Sequence, residues 1–370
     1  MSSAATPPAI ALIGASGFVG LRTVELLSAR TDCSLVPVVR SAASLAVVSR
    51  QRLAWRIADF LSAELLAGAL RDCSVCIHAA IGDAGQIVRM AEVAYRACAA
   101  AGVRRLVWLS SASVHGQDCA PGTEESSPLH DHHPIVYNNA KVRAERRLAR
   151  LARDRRVEVV ILRPGVVFGP RSRWLADTAA DLRAGRAAWL DEGRGVCNSI
   201  YVDNLVEAIR LAATVAAAAG ETFLVGDAES VTWADFLQPI AGHLGFAASA
   251  FHNLPPPRVV PERESRWDAF TLTPAYARLS NFVPSRAKRL AKALAAAWPA
   301  QRTRSAWTLR PGPAAPQLTA ELALLQLCCW KLPNAKAERL LGYRPPVAFS
   351  EGLRRSLAWL DFAGLGRPSP

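Results

Sequence analysis

A glycine-rich turn between an apolar run and an amphipathic segment lies almost at the start of this 370-residue chain. The apolar run is Ala9–Ile13, the turn is residues 14–20 (GASGFVG), and the amphipathic segment is residues 21–29. This order is typical of a strand, a tight turn and a helix. Glycines let a backbone approach a ligand closely, and the amide groups at a helix N-terminus attract phosphate. The pattern therefore predicts a dinucleotide site. Its predicted contacts from the turn are Gly14, Ser16, Gly17, Phe18 and Val19.

Strand-like and helix-like segments alternate through the first part of the chain. Short apolar runs predict strands at residues 9–13, 34–39, 55–57, 75–80, 103–110 and 157–162. Amphipathic stretches predict helices at residues 21–29, 62–70, 87–101 and 135–153, with Ser62 as an N-cap. The alternation predicts an α/β fold with a Rossmann-type doubly wound parallel sheet.

This alternation loosens after Gly165, where tryptophan, proline and basic residues accumulate. Such a change of pattern is typical of a substrate-binding part built at the carboxyl ends of the strands. We therefore expect residues 1–165 to form an NAD(P)-binding Rossmann domain, to which strand elements around residues 196–226 return. Residues 166–370 are expected to be mainly a smaller C-terminal substrate-binding region.

The second predicted strand ends in Val39, Arg40 and Ser41. In an NAD site this strand ends in an acidic residue that accepts hydrogen bonds from the ribose hydroxyls. Arg40 cannot accept those bonds, but it can bind a 2′-phosphate through two parallel hydrogen bonds, with Ser41 as a further donor. The sequence therefore favours NADP as the cofactor. NAD stays open, because Arg40 can also stack on the adenine of either cofactor.

A tyrosine and a lysine, Tyr137 and Lys141, lie four residues apart near the start of the predicted helix 135–153. This spacing puts both side chains on one helix face. A neighbouring ammonium stabilises a tyrosinate and lowers the pKa of the phenol, which suits acid/base chemistry on an alcohol or a carbonyl. The strand upstream ends in the hydroxyl-rich residues 110–113 (SSAS), which can donate a hydrogen bond to a reacting oxygen. The pattern predicts proton transfer by Tyr137.

These motifs, with others along the chain, resemble the extended short-chain dehydrogenases/reductases, the group that contains nucleotide-sugar epimerases and 3β-hydroxysteroid dehydrogenases. The resemblance covers nearly the whole chain and is far more specific than any single motif. The matching segments are residues 14–20, 59–60, 78–80, 110–116, 137–141, 162–170 (LRPGVVFGP), 201–205 (YVDNL) and 336–345 (KAERLLGYRP). The resemblance implies an NAD(P)-dependent enzyme on a Rossmann fold.

It also implies roles for individual residues. Ser111 would be the catalytic serine, with Ser113 as the alternative. Tyr137 would be the acid/base, and Lys141 would orient the nicotinamide ribose while tuning Tyr137. The other implied cofactor contacts are Asp59 and Phe60 at the adenine, Ala79 and Ala80 at the pyrophosphate, and Pro164 and Val166 at the nicotinamide carboxamide.

Three positions depart from the family pattern. His115 replaces the usual tyrosine of its turn, and Ala140 replaces a common serine before the lysine, but neither change disables proton transfer. Ala112 and Ser113 stand where the similar sugar 4,6-dehydratases have an Asp-Glu pair. Because elimination and return of water need that acid/base pair, a dehydratase is disfavoured.

Three functions remain under comparison. The leading one is an oxidoreductase that moves a hydride between NADP(H) and a secondary alcohol or ketone on a sugar-nucleotide, steroid-like or lipid-linked substrate. An NAD-dependent nucleotide-sugar 4-epimerase is the alternative among enzymes, and Arg40 argues against its resident NAD. A non-catalytic NADP(H)-binding regulatory protein is the alternative from another class, and the intact Ser111, Tyr137 and Lys141 argue against it.

The net charge of +13 is concentrated near the C-terminus. Residues 278–310 contain eight basic residues and no acidic one. Within them, residues 285–298 predict a basic amphipathic helix, which either lies on an anionic membrane or packs on the substrate-binding part, the commoner outcome. No nucleic-acid-binding motif accompanies the charge, so nucleic acid is not an expected partner. A small-molecule substrate is expected, and a homodimer is compatible with the sequence.

The remaining features predict an ordinary cytoplasmic chain without a metal site. No stretch approaches the roughly 20 apolar residues of a membrane span, and residues 1–9 lack the basic region of a secretory signal. Cys73 and Cys76 form a C-x-x-C pair, which we expect to be two core thiols. His130, His132 and His133 are expected in a solvated turn.

Overall fold

The computed structural model describes residues 9–30, 33–262, 315–316 and 318–366. Its strands are β1 (Ala9–Ile13), β2 (Ser34–Val39), β3 (Arg56–Ile57), β4 (Val75–His78), β5 (Arg105–Leu109), β6 (Glu158–Pro164), β7 (Val166–Phe168), β8 (Ala188–Leu190), β9 (Val196–Cys197), β10 (Ser199–Tyr201), β11 (Thr222–Val225), β12 (Val231–Thr232) and β13 (His252–Leu254). Its helices are α1 (Phe18–Leu27), α2 (Ala42–Val48), α3 (Ala63–Ala69), α4 (Ala84–Ala101), α5 (Val136–Leu151), α6 (Arg173–Arg183), α7 (Val202–Thr214), α8 (Trp233–Leu244), α9 (Ala320–Leu327), α10 (Ala335–Leu341) and α11 (Phe349–Phe362).

Seven strands form one central sheet in the order β11-β6-β5-β4-β1-β2-β3, and every neighbouring pair is parallel. From β1 the chain first continues outward through β2 and β3. It then returns to the other side of β1 and continues through β4, β5 and β6. The predicted doubly wound parallel sheet is confirmed. Its topological switch point lies between β1 and β4, where such sheets bind ligands outside the carboxyl ends of their strands.

Both faces of this sheet are buried, as a parallel sheet requires. Successive residues of β1 point to opposite faces: Ile10 and Leu12 join one apolar cluster, and Ala11 and Ile13 join the other. The first cluster is covered by α1, α7 and α10, and the second by α3, α4 and α5. The continuous apolar strands of the sequence follow from this two-sided burial.

The four helices predicted before residue 165 are present, and their observed ends follow from capping. The Ser62 side chain accepts a hydrogen bond from the Leu65 amide, as the N-cap prediction requires. Helix α4 starts three residues before the predicted position 87, because Asp83 caps it at the Gln86 amide. It ends at Gly102, which adopts the left-handed φ of +72° typical of a C-cap glycine.

Beyond residue 165 the chain contributes to both parts of the molecule. β11 extends the central sheet beside β6, while β7 to β10, β12 and β13 form separate two-stranded pairs. An apolar cluster built around Phe168, Trp233 and Phe236 packs α6, α8 and α11 together at this end of the molecule. The two carboxylate oxygens of Asp203, at the start of α7, accept hydrogen bonds from Arg22 of α1 at 2.6 and 2.8 Å and so tie the two helices together.

The basic segment 278–310 and the predicted helix 285–298 lie outside the described residues. Among the helices that the structure does describe, none combines the length and the hydrophobicity needed to cross a bilayer.

Candidate active site

The glycine turn follows β1 at the carboxyl edge of the sheet. Gly14 has a φ of +84°, and a Cβ atom placed on it would lie 2.6 Å from the backbone nitrogen of Ala80. A Cβ atom on Gly20 would lie 2.1 Å from the carbonyl oxygen of Gly14. Real Cβ atoms do not approach backbone this closely, so the packing of the protein itself requires glycine at both positions.

Gly17 is a different case. Its φ of −77° is open to any residue, and a Cβ atom on it would meet only the carbonyl oxygen of Gly14, at 3.4 Å. The residue is exposed and forms the N-cap of α1, whose first turn has no acidic side chain. A glycine here therefore leaves the amide groups of the helix N-terminus open to a ligand. The turn fits the pyrophosphate of a dinucleotide.

The other predicted turn contacts are partly buried. Phe18 packs against the apolar cluster around Phe168, and Val19 packs against the cluster that covers one sheet face. Ser16 lies half-buried between the glycines. Phe18 and Val19 therefore face the protein with their side chains and offer a phosphate only their amides.

The ends of β2 and β3 lie beside this turn. Arg40 is exposed directly after β2, and its guanidinium lies 6.0 Å from the centroid of the Phe60 ring. Phe60 is buried in the core, while Asp59 is exposed and accepts a hydrogen bond from the Leu61 amide at 3.0 Å. Ser41 caps α2 by accepting a hydrogen bond from the Ser44 amide. The structure thus places an exposed cation, and no carboxylate, at the end of β2.

The remaining predicted cofactor contacts also follow strand ends. Ala79 and Ala80 come directly after β4, and the Ala79 amide donates to the Ile13 carbonyl oxygen at 2.9 Å. Pro164 ends β6, and the amide of Val166 donates to the Asn198 carbonyl oxygen at 2.7 Å. All these residues lie along the carboxyl edge of the sheet, where the turn lies.

Ser111, Tyr137 and Lys141 come together at the carboxyl end of β5. Ser111 begins the 3-10 turn Ala112–His115 and is hydrogen-bonded to the Tyr137 hydroxyl. Ser113 donates its hydroxyl to the Ser111 oxygen at 2.9 Å, which makes it a support for Ser111. Lys141 lies one turn after Tyr137 on α5, and its ammonium is 5.6 Å from the centroid of the tyrosine ring. The sequence prediction that these groups form one site agrees with their placement.

The protonation state of Tyr137 differs from the sequence expectation. Burial raises the pKa of Tyr137 above its usual range, the Glu321 carboxylate raises it further, and the hydrogen bond from Ser111 lowers it. The Lys141 ammonium does not offset these effects, because it donates its hydrogen bond to the Leu109 carbonyl oxygen at 2.8 Å. Tyr137 is therefore held as a phenol, with its proton bound more tightly than in a free tyrosine.

Two carboxylates that sequence reasoning missed lie near this phenol. Glu321 is in the first turn of α9, 184 positions after Tyr137, and is solvent-accessible. Neighbouring protein atoms that partly desolvate its carboxyl group raise its pKa, and the negative charge of Glu262 raises it further. Glu262 itself accepts a hydrogen bond from the amide of Val136, the first residue of α5, at 2.7 Å. No motif connects these residues to Tyr137, since only the tertiary fold brings them there.

Lys141 is almost fully buried and surrounded by few charges. Burial lowers the pKa of Lys141 to about 8, and the Glu145 carboxylate partly offsets this effect. His78, at the end of β4, packs its ring 4.4 Å from the Trp108 ring. Burial, with the nearby Lys141 charge, lowers the pKa of His78 to about 3, so His78 is neutral beside the ammonium.

A buried ion pair beneath the site was also missed. Arg163, near the end of β6, donates to the Glu145 carboxylate at 2.6 Å, and both side chains are buried. The Ser110 hydroxyl donates to the same carboxylate, and Arg163 also contacts the His115 ring nitrogen at 3.0 Å. Glu145 lies four residues after Lys141, so the helical spacing alone could have placed it on the same face.

The histidine turn and the cysteines lie apart from this chemistry. His130 and His132 are exposed, but His133 is buried against the prediction of a solvated turn, because its Nε2 pairs with the Val114 carbonyl oxygen at 3.1 Å. Cys73 and Cys76 lie in the core, as predicted. All eight cysteines are free thiols. Within the described ranges, no group of three or more histidine, cysteine or acidic residues could hold a metal ion.

The sequence around this site is similar to those of known proteins. The sequence model of the family described as NAD(P)H-binding matches residues 14–174, which contain the glycine turn, Ser111, Tyr137 and Lys141. The chain is 29% identical to UDP-glucose 4-epimerase of Vibrio cholerae over 257 residues, which are 64% of this chain and 75% of that protein.

Two further likenesses extend over almost the whole chain. Sterol-4-alpha-carboxylate 3-dehydrogenase (decarboxylating) of Candida albicans is 24% identical, over 95% of this chain and 97% of that protein. The crystal structure of the dTDP-glucose 4,6-dehydratase DesIV of Streptomyces venezuelae, with NAD and TYD bound, has a TM-score of 0.67 and 20% identity, over 96% of this chain and 97% of that chain. The latter likeness shows the shared fold.

Proposed function

We propose that this chain, which belongs to the extended short-chain dehydrogenases/reductases, is an NAD(P)-dependent oxidoreductase that interconverts a secondary alcohol and a ketone. The observation that carries the proposal is the convergence of Ser111, Tyr137 and Lys141 beside the glycine turn. The substrate is a small molecule of the sugar-nucleotide, steroid-like or lipid-linked class. The curated relatives named for UDP-glucose and for sterol carboxylates support these classes.

The proposed chemistry divides among the residues as follows. When bound, the nicotinamide supplies or accepts the hydride. Ser111 holds the reacting oxygen with a hydrogen bond, and Tyr137 gives that oxygen a proton during reduction. Lys141 orients the nicotinamide ribose with its ammonium. As a phenol, Tyr137 carries the proton that the reductive direction consumes.

We assign contacts with the other parts of the cofactor to the residues at the motif positions. The amides of Gly14, Ser16, Gly17, Phe18 and Val19, with Ala79 and Ala80, would hold the pyrophosphate; Asp59 and Phe60 would contact the adenine; Pro164 and Val166 would contact the carboxamide. These roles agree with the position of all these residues at one edge of the sheet. Residues 1–165 would then bind the cofactor with the help of β11, and residues 166–370 would mainly bind substrate.

The experiment that tests the function is a turnover assay on the purified full chain. NADPH and NADH are each mixed with a panel of sugar-nucleotide and steroid ketones, and cofactor oxidation is followed at 340 nm, the absorption of reduced nicotinamide. We expect NADPH consumption with one ketone class. Tight cofactor binding without any turnover would instead indicate a non-catalytic, cofactor-binding regulatory protein.

A nucleotide-sugar 4-epimerase is the second candidate, and the likeness to UDP-glucose 4-epimerase favours it. Such an enzyme oxidises C4 of the sugar and then reduces its other face, so its cofactor shows no net change. Incubation with UDP-glucose followed by chromatography of the sugar nucleotides distinguishes it. Appearance of UDP-galactose without NADPH consumption would favour the epimerase over the reductase.

A cofactor preference for NADP(H) follows from the exposed guanidinium of Arg40. Arg40→Asp should weaken NADPH binding by about tenfold to a hundredfold, the scale of one charge-assisted bidentate contact, and should strengthen NADH binding. Isothermal titration calorimetry on both proteins with both cofactors measures the ratio of dissociation constants. A wild-type protein that binds NADH more tightly than NADPH would contradict the preference.

The negative charge of Glu321 should govern the pH dependence of alcohol oxidation, in which Tyr137 must act as a base. A neighbouring carboxylate disfavours the tyrosinate, so Glu321→Gln should lower the pKa of Tyr137 and move the rising limb of the oxidation profile to lower pH, by about one unit at most. The exposed Glu338→Gln, on α10, is the matched control and should leave the profile in place. A rising limb that stays at the same pH in Glu321→Gln would show that this carboxylate does not act on Tyr137.

Contact of the basic segment 278–310 with an anionic membrane, and assembly as a homodimer, stay proposals from the sequence. Co-sedimentation of the full chain with anionic and neutral vesicles tests the first, and Lys288→Gln/Arg289→Gln/Lys292→Gln is the matching variant. Light scattering tests the second.

A further inference from the structure

Three side chains connect the catalytic helix to the strand that precedes the catalytic serine. Ser110 follows the last residue of β5 and donates its hydroxyl to Glu145 of α5. Lys141, one turn earlier on α5, donates to the carbonyl oxygen of Leu109 at 2.8 Å. Two successive residues of the strand end are therefore held by two successive turns of the same helix. The next residue of the chain is Ser111.

Glu145 is itself held in place. Arg163 donates to its two oxygens from Nε at 3.2 and 3.3 Å and from one terminal nitrogen at 2.6 Å. The other terminal nitrogen of Arg163 bonds to the His115 ring and to the carbonyl oxygen of Glu125, both on the loop after Ser111. This fork–fork pairing fixes the carboxylate in one orientation. Its oxygen thus stands at a defined position for Ser110.

We propose that Glu145 is a positioning residue, which through Ser110 holds Ser111 at hydrogen-bonding distance from Tyr137 and, by its charge, keeps Lys141 as an ammonium. This inference rests on the proposed function, because it assigns Glu145 to the same catalytic group. The hydrogen bond from Ser110 to Glu145 fixes the position of the strand end that carries Ser111. The negative charge of Glu145 stabilises the ammonium form of Lys141. The two roles can be separated by mutation.

The effect of Glu145 on the charge of Lys141 depends on the other titratable and charged groups around Lys141. His78 of β4 is neutral, and Tyr137 on the same helix face is a phenol, so neither supplies a negative charge. Arg163 of β6 is cationic and ion-paired with Glu145, but of these two groups it is Glu145 whose charge acts on the Lys141 pKa. Glu145 is thus the carboxylate that favours the Lys141 ammonium against its burial. Loss of both Glu145 and Arg163 charges should leave Lys141 easier to deprotonate.

Two variants isolate the two roles. Ser110→Ala removes the hydroxyl that links the strand end to Glu145 and leaves the ion pair intact. Glu145→Gln/Arg163→Met removes both charges together, which avoids an unpaired buried charge, and keeps an acceptor oxygen for Ser110. The matched control is Ser356→Ala on α11, a fully buried serine whose hydroxyl donates to the Gly352 carbonyl oxygen at 2.7 Å.

For Ser110→Ala we expect kcat per folded protein to fall by about tenfold or more, since small displacements of catalytic groups are costly. Cofactor affinity should stay within about twofold, and the melting temperature should change no more than in Ser356→Ala. A kcat equal to that of Ser356→Ala would overturn the positioning role. A loss of kcat explained wholly by unfolded protein would do the same.

The charge role is measured without turnover. The chain has five lysines, so reductive ¹³C-methylation followed by NMR titration can assign Lys141 by comparison with Lys141→Arg. Glu145→Gln/Arg163→Met should lower the Lys141 pKa by about one unit, while Ser110→Ala should leave it unchanged. An unchanged Lys141 pKa in the double variant would overturn the charge role. Failure of the proposed function would appear separately, as a wild-type protein that turns over no carbonyl or sugar nucleotide although Lys141 still titrates as described.

Discussion

Tyr137→Phe should reduce turnover of the native substrate by about a hundredfold or more, which is the usual scale for loss of a general acid. The substitution removes the transferable proton and the hydrogen bond with Ser111, but it keeps the ring that packs beside α4 and the sheet. The dissociation constant of the cofactor should therefore change little. Steady-state kinetics and calorimetry on the same protein sample measure both quantities.

Tyr95→Phe is the matched control for this change. Tyr95 is a buried tyrosine of α4 whose hydroxyl donates to Asp154, far from the carboxyl edge of the sheet. Its loss should cost stability, of the order of 1 kcal/mol for one hydrogen bond, and leave kcat unchanged. Near-normal turnover in Tyr137→Phe would show that another group moves the proton, and the proposed mechanism would then be wrong.

Much of the cofactor half could be predicted from sequence because its signals are local. Strands buried on both faces are continuous apolar runs, and caps such as Ser62 and Gly102 mark where helices begin and end. The long helix predicted at 135–153 is observed as α5 followed by the 3-10 turn Ala152–Asp154. Helix α2, by contrast, was not predicted, because its seven residues (AASLAVV) include no charged residue that would mark an exposed face.

The sequence predicted which residues form the site better than it predicted their hydrogen bonds and protonation states. The helical spacing correctly placed Tyr137 and Lys141 on one face, but it could not show where the Lys141 ammonium points. The hydrogen bond of Lys141 to Leu109, and the approach of Glu321 from α9, depend on contacts between distant parts of the chain. These contacts determine that Tyr137 is a phenol with a raised pKa and not the readily ionised group that the spacing alone suggested.

The distribution of the later strands between the central sheet and the small pairs also depends on tertiary contacts. Strand elements around residues 196–226 were expected to return to the cofactor domain, but composition does not distinguish the strand at residues 222–225, which joins the main sheet, from β9 and β10, which form small pairs. In the structure β11 lies beside β6 and pairs residue for residue with positions 161–164. Pairing between segments about 60 positions apart is decided by tertiary packing, which a local pattern does not contain.

Substitutions at two glycines of the turn should also have large effects, and these effects should differ in kind. A side chain at Gly17 should weaken cofactor binding, whereas a side chain at Gly20 should destabilise the fold. Gly17→Val places a side chain over the N-terminus of α1, where only the carbonyl oxygen of Gly14 is near, so the fold should tolerate it. The pyrophosphate would lose its approach to the amides, and we expect cofactor affinity to fall by about a hundredfold or more. Calorimetry with NADPH and NADH measures the affinity, and thermal unfolding measures the stability.

Gly20→Ala is the paired variant on the same helix. Its Cβ atom would lie 2.1 Å from the Gly14 carbonyl oxygen, so backbone must move, and overpacking of this kind costs about 1–3 kcal/mol of stability. The two variants should therefore differ in what they change. Gly17→Val should keep the melting temperature and lose cofactor affinity, whereas Gly20→Ala should mainly lower the melting temperature. If Gly17→Val bound both cofactors as the wild type does, the pyrophosphate could not lie on this helix N-terminus, and the cofactor assignment would have to move to another part of the sheet edge.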